Sequence, residues 1–199
     1  ASRIILDLQT IVSREISPLV PVVVTVGSIH GGTRPNIIPD EVKMELTLRY
    51  YSDAVIEKVI AAINRISRSA AQTAGMPNDK LPKVFVSSVE TPPVLNNLEL
   101  SEKIQGFASE IIGVENILKT HPAMVGEDFG MYGQTPENIP ICLMWLGSTN
   151  PELMEQLKAE GKNPFPLHSP QLSPYYEKTI ETGIKVMVVN VIGLMEKNQ

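Results

Sequence analysis

The side chains best suited to chemistry in this sequence are His30, Arg34, Asn36, Glu127 and His168. Arg34 and Asn36 lie in the glycine- and proline-rich stretch Gly31-Gly32-Thr33-Arg34-Pro35-Asn36-Ile37-Ile38-Pro39-Asp40. A guanidinium offers a two-pronged fork and an amide a directional donor, so the pair suits a substrate carboxylate. The plainer account is that Asn36 orders its loop, Arg34 is solvated and His30 ends a strand, and residue type favours it. Glu127 and Asp128 follow Gly126, either as site carboxylates or as acidic groups at the start of a helix, where the dipole welcomes them. His168, within Leu167-His168-Ser169-Pro170, precedes an apolar helix. Imidazole is a common transition-metal ligand, but a solvated loop histidine is the plainer account here too. A catalytic metal centre normally needs three protein ligands, more than these residues supply. His121, in Thr120-His121-Pro122, reads as a loop residue.

The elements that must position these groups follow from periodicity. Residues 1–14 carry Ile4, Ile5, Leu8, Ile11 and Val12 at helical spacing and must stop before Ser17-Pro18. Val22 to Tyr50 reads as two strands. Val42, Met44, Leu46, Leu48 and Tyr50 alternate with Glu41, Lys43, Glu45, Thr47 and Arg49, so one face is buried and the other wet. The crossing between the strands is longer than a hairpin turn requires, and polar loops held by rigid strands tend to carry function. Ser52 is placed to cap a helix running to about Ala74, and Gly75 and Pro77 to stop it. Lys83–Val89 is expected to be a third strand, followed by a linker at Pro92-Pro93. Further on, a helix is expected over Leu98–Ile112. Thr120 to Gly130 is expected to be a loop leading into a short helix, and Ile139–Leu146 a strand buried on both faces. A polar excursion over Asn150–Pro166 precedes a deeply packed final helix that runs from Ser173-Pro174 to about Glu196.

The expected fold class is α/β. With 199 residues, 43% of them hydrophobic and 20% charged, the chain can bury one or two cores. A net charge of −5, with Lys and Arg scattered along the chain, argues against a nucleic-acid partner. No apolar run is long enough to span a membrane. The single cysteine, Cys142, excludes an internal disulfide and any multi-cysteine zinc site; it reads as a core thiol and gives cytoplasmic residence as the default. The chain opens directly on helical spacing at Ala1, so it is expected to be part of a longer protein.

Three motifs carry a family resemblance: Thr25-Val-Gly-Ser-Ile-His-Gly-Gly-Thr-Arg-Pro-Asn-Ile-Ile-Pro-Asp-Glu-Val, Gly126-Glu-Asp-Phe, and Leu167-His168-Ser169-Pro170. Together, and in this order, they resemble bacterial metal-dependent amidohydrolases of the hippurate hydrolase, aminoacylase and indole-acetyl-amino-acid hydrolase type. The resemblance implies a ferredoxin-like lid or dimerisation domain over residues 1–90, lacking its leading strand. Residues 91–199 would be the C-terminal part of a zinc-peptidase-like α/β catalytic domain. It implies a homodimer formed through the lid, and an N-acyl amino acid or short peptide amide as substrate. Two divalent ions, zinc or manganese, would activate water in the complete enzyme. By position, His168 would be a metal ligand, Glu127 a catalytic-site residue, and Asn36, His30 and Arg34 substrate-binding residues. The family's Cys-Gly-His motif, its paired glutamates and a further histidine ligand do not occur in this chain. On this basis the chain by itself is not expected to catalyse. The competing expectation is a non-catalytic dimerising or binding module.

Overall fold

The alternating strand does form, in a computed structural model that describes residues 1–87 and 91–196. Strand β1 (Val23–Gly31) pairs antiparallel with β2 (Val42–Arg49), and the two make up the sheet among the described residues. A pair of strands is marginal by itself and needs a cover on one face. Helix α1 (Ser2–Thr10) and helix α2 (Asp53–Thr73) provide it. Leu8, Ile11 and Val59 are the most completely buried large side chains, and Val24, Val26, Met44, Leu46 and Leu48 pack against the cluster from the sheet.

The first helix does not simply fray before Ser17-Pro18. It widens into a π-helical turn, Ile11–Glu15, closed by Ile16 N–H donating to Ile11 O at 3.1 Å. The terminal carbonyl of Glu15 accepts from Lys58 Nζ at 2.8 Å, and Arg65 Nη2 lies 2.6 Å from the Glu15 carboxylate. Two cations of α2 thus hold the C-terminal end of this helix, where positive charge is favoured. Ser52 occupies the cap position of α2, but its side chain makes no capping hydrogen bond.

By compactness the chain divides into two units: Ala1–Val94 with Pro122–Gln134, and Leu95–His121 with Thr135–Gln199. In the second unit, helix α3 (Leu98–Ile112) starts where Asn97 Oδ1 accepts from Leu100 N–H at 2.9 Å. Helix α4 (Pro151–Ala159) lies inside the excursion read as merely polar, capped by Asn150 Oδ1 accepting from Glu152 N–H at 2.8 Å. Helix α5 (Tyr176–Met195) packs against α3, where a side chain at Gly193 would collide with the Phe107 ring.

Four expectations are corrected. Residues 83–87 are not a strand: Val84 packs on the core, Phe85 is 86% exposed, and among the described residues the sheet consists of β1 and β2. Ser88 and Val89, the end of that expected strand, lie outside the described residues. Ile139–Leu146 is not a strand either. Its backbone is held by asparagines, with Leu143 N–H donating to Asn96 Oδ1 at 2.8 Å, Asn96 Nδ2 donating to Leu143 O at 2.8 Å, and Asn97 N–H donating to Ile141 O at 2.9 Å. This clasp imitates one rung of a ladder, and Trp145 remains 57% exposed. Helix α5 is not deeply packed. Val186 and Asn190 are buried, while Ile184, Met187, Val188, Val191 and Ile192 are about half exposed or more, because α3 covers only one stripe. Nor is Cys142 fully buried; it is half-buried beside Ser101, whose hydroxyl donates to the sulfur at 3.4 Å.

Truncating Leu8, which is 1% exposed, removes a side chain shared by α1, α2 and the sheet. Leu8→Ala is expected to cost about 2–5 kcal/mol in urea unfolding of the chain.

Candidate functional site

His30 reaches its position through an irregularity in β1. The register runs Val26 opposite Leu46 and then Ser28 opposite Glu45, so Gly27 is the extra residue of a β-bulge. An extra residue reverses the side-chain alternation beyond it. Without the bulge, His30 would share the core face of Val24 and Val26. With it, Ile29 lies opposite core-facing Met44, and His30 lies opposite Lys43 on the polar face. On that face Glu45 accepts from Lys43 Nζ at 2.7 Å and from Ser28 Oγ at 3.0 Å. The Lys43 hydrogen bond, then that of Ser28, holds the Glu45 carboxyl below its ordinary range, and the same contact raises the Lys43 ammonium.

Beyond Gly31 the chain turns at Arg34-Pro35-Asn36-Ile37, with Ile37 N–H donating to Arg34 O at 3.3 Å. Proline fixes the second position of this turn, and Asn36 occupies the third. Arg34 and Asn36 are both exposed, together with Ile37 and Ile38, the latter 93% exposed. Sequence reasoning picked the polar members of this loop and passed over the two isoleucines, whose adjacency to Asn36 in a polar loop was the available signal.

Glu127 is half-buried, while Asp128 is exposed and opens a 3-10 helix, Asp128–Gln134. The expected loop followed by a short helix is present. The motif is held from both sides within the first unit. Arg49 Nη1 donates to Met124 O at 2.6 Å and Tyr51 Oη donates to Ala123 O at 2.8 Å. At the other end, Gly130 lies so close to the chain that an added Cβ would stand 2.5 Å from the Pro92 carbonyl oxygen. Phe129 and Tyr132 stack at 5.5 Å with their rings inclined by 52°.

His168 is in the second unit and is exposed. Ser169 N–H donates to Pro166 O at 3.1 Å, closing a turn whose third position is His168, with φ 69°. That is the left-handed region, which L side chains enter at a cost and which glycine normally occupies. The strain is not visible in the residue type.

The structure therefore brings His30, Arg34, Asn36 and Glu127 into one compact unit and puts His168 in the other. Among the described residues, no three His, Cys, Asp or Glu side chains gather into a group that could hold a metal ion. The residues of this chain do not by themselves fit the metal pair that the resemblance implies. No helix of the described residues is long and apolar enough to cross a membrane. An open cleft of about 420 Å³ lies at the start of α5, lined by Gly147, Thr149, Tyr175 and Lys178 among others, and by none of the residues singled out above.

Residues 1–74, which contain the first of the three motifs, match the peptidase dimerisation domain family. Along most of its length the chain is similar to curated deacetylases that are more than twice as long. It is similar to the N-acetyldiaminopimelate deacetylase of Bacillus licheniformis, with 32% identity over 94% of this chain and 44% of the relative. The enzyme of the same name from Leuconostoc citreum is 33% identical over 87% of this chain and 39% of its own length. A solved structure described as an aminohydrolase of methicillin-resistant Staphylococcus aureus shares the fold, with a TM-score of 0.71 at 24% identity over 98% of this chain and 46% of that one. The chain spans less than half the length of these relatives.

Replacing His168 by glycine separates strain from packing. Because the imidazole is exposed and its backbone left-handed, His168→Gly is expected to leave stability unchanged or raise it by about 1 kcal/mol in urea unfolding. A histidine retained for packing would instead cost stability.

Proposed function

We propose that this chain supplies the lid and the C-terminal part of the catalytic domain of a metal-dependent amidohydrolase acting on N-acyl amino acids or short peptide amides. In this reading residues 1–90 are the lid and residues 91–199 the catalytic part. The observation that carries it is the similarity along 94% of the chain to a relative named as a deacetylase of an N-acetyl amino acid. Removing such an acetyl group is hydrolysis of an amide.

The side chains support particular roles. Arg34 and Asn36, exposed on one proline-fixed turn, offer a fork and an amide to the carboxylate of an amino-acid substrate. His30, brought by the bulge to the polar face, stands at the base of the same loop. Glu127, on a loop fixed at both ends, is the site carboxylate. His168 is the metal ligand of this chain, and its strained backbone supports the assignment, since such strain gathers at functional sites. The remaining ligands for zinc or manganese come from polypeptide other than this chain. A homodimer formed through residues 1–74 and cytoplasmic residence, resting on the lone Cys142, complete the reading.

A second reading, a dimerising module without catalysis, is favoured by the dimerisation-domain match and by the absence of a metal-holding group among the described residues.

The test is hydrolysis of N-acetyl or hippuryl amino acids with zinc or manganese. The chain is assayed by itself and mixed with a polypeptide carrying the remaining part of the Bacillus licheniformis relative. Turnover is expected in the mixture, falling by about 100-fold or more in Glu127→Gln and His168→Ala. Equal turnover by the chain without its complement, or an unchanged rate in both variants, would contradict the proposal. A stable dimer with no turnover in either case would favour the second reading.

A further inference from the structure

We infer that Arg49 and Tyr51 are positioning residues that fasten the Glu127 loop to the end of strand β2, an inference that rests on the reading of Glu127 as a site carboxylate. Residues 117–127 carry no helix or strand. A loop of this kind has no backbone ladder to fix it, so its placement depends on side chains from elsewhere. Here two such side chains come from one place. In an extended segment, residues two apart project to the same side. Arg49 and Tyr51 use that spacing to reach consecutive carbonyls, those of Met124 at 2.6 Å and Ala123 at 2.8 Å.

The Arg49 bond is partly buried and its donor carries a full charge, which makes it the stronger of the two. The guanidinium also runs beside Gly126, the residue before Glu127, where an added Cβ would stand 3.6 Å from Nη1. The anchor itself is rigid, because β2 is paired along its length with β1 and leads through Ser52 into α2, whose Val59 is completely buried. Gly130 against the Pro92 and Pro93 carbonyls fixes the far end of the motif.

The consequence is mechanical. Pro122–Gln134 belongs to the same compact unit as the strand pair, although it lies far along the sequence from it. The placement of the Glu127 loop against the strand pair therefore depends on the Arg49 and Tyr51 side chains.

The test is backbone 15N relaxation on the full chain, comparing native protein with Arg49→Ala, Arg49→Lys and Tyr51→Phe. Order parameters at the Val125, Gly126 and Glu127 amides are expected near 0.85 in the native chain and below about 0.6 in Arg49→Ala. Arg49→Lys, which keeps one charged donor, should recover part of the loss, and the amides of α2 should not change in any variant. Tyr51→Phe removes a single hydroxyl and keeps the fold, so it decides the matter if Arg49→Ala does not fold. A native loop already below about 0.6, or a loop unchanged in both Arg49→Ala and Tyr51→Phe, would overturn the inference. This readout needs no substrate, so it stands or fails separately from the functional reading. In the reconstituted mixture, Tyr51→Phe should lower kcat by about tenfold or more with KM within about twofold, the split that misplacement of a reacting group gives.

Discussion

The constraint on which the described chemistry of the first unit depends is that two strands cannot stand without a cover. β1 and β2 are held by burying Val24, Val26, Met44, Leu46 and Leu48 against Leu8, Ile11 and Val59 from the helices. Apolar burial is non-directional, so it fixes which face of the sheet is inward and leaves the details beyond the core to local geometry. The bulge at Gly27 is such a detail. By reversing the alternation after Val26, it gives Ile29 to the core side and His30 to the polar side. The sheet then ends in two different devices: a proline-fixed turn that exposes Arg34 and Asn36, and the Arg49 and Tyr51 side chains that hold a distant loop.

The groups proposed for function share a physical character. None is fully buried. Each sits on a loop or strand end whose backbone is fixed by something rigid: the bulged strand for His30, the turn for Asn36, the double clasp for Glu127 and a strained turn for His168. That is the arrangement expected of loops positioned by a scaffold. No metal-holding group forms among the described residues, and Glu127 and His168 belong to different compact units. The exposed stripe of α5 and the unpaired Ile139–Leu146 segment belong to the same picture of apolar surface left without cover by this chain.

Much of the fold was legible because its signals are local. The alternation in β2, the helical spacing of α2 and the start of α3 at Asn97 each lie within a short window of sequence. The two failed strands show where local signals stop. Lys83 to Ser87 and Ile139–Leu146 have strand composition, but a strand is defined by its neighbour, and composition does not supply one. The apolar α5 was read as buried for the same reason, since helix composition says what wants to be covered and not whether it is. In the candidate site, the motif residues were legible by resemblance. The bulge, the left-handed His168 and the clasp from Arg49 and Tyr51 were not, because each depends on backbone conformation or on a partner far along the chain.

The proposed function turns on whether His168 joins a metal site that another polypeptide completes. The most direct measurement is a zinc titration followed through the His168 imidazole resonances, with and without the complementary polypeptide. Tight, stoichiometric zinc binding that shifts those resonances only in the mixture is the predicted result. Stoichiometric zinc held by the chain without its complement, or His168 resonances unmoved by zinc in a mixture that turns over substrate, would contradict it.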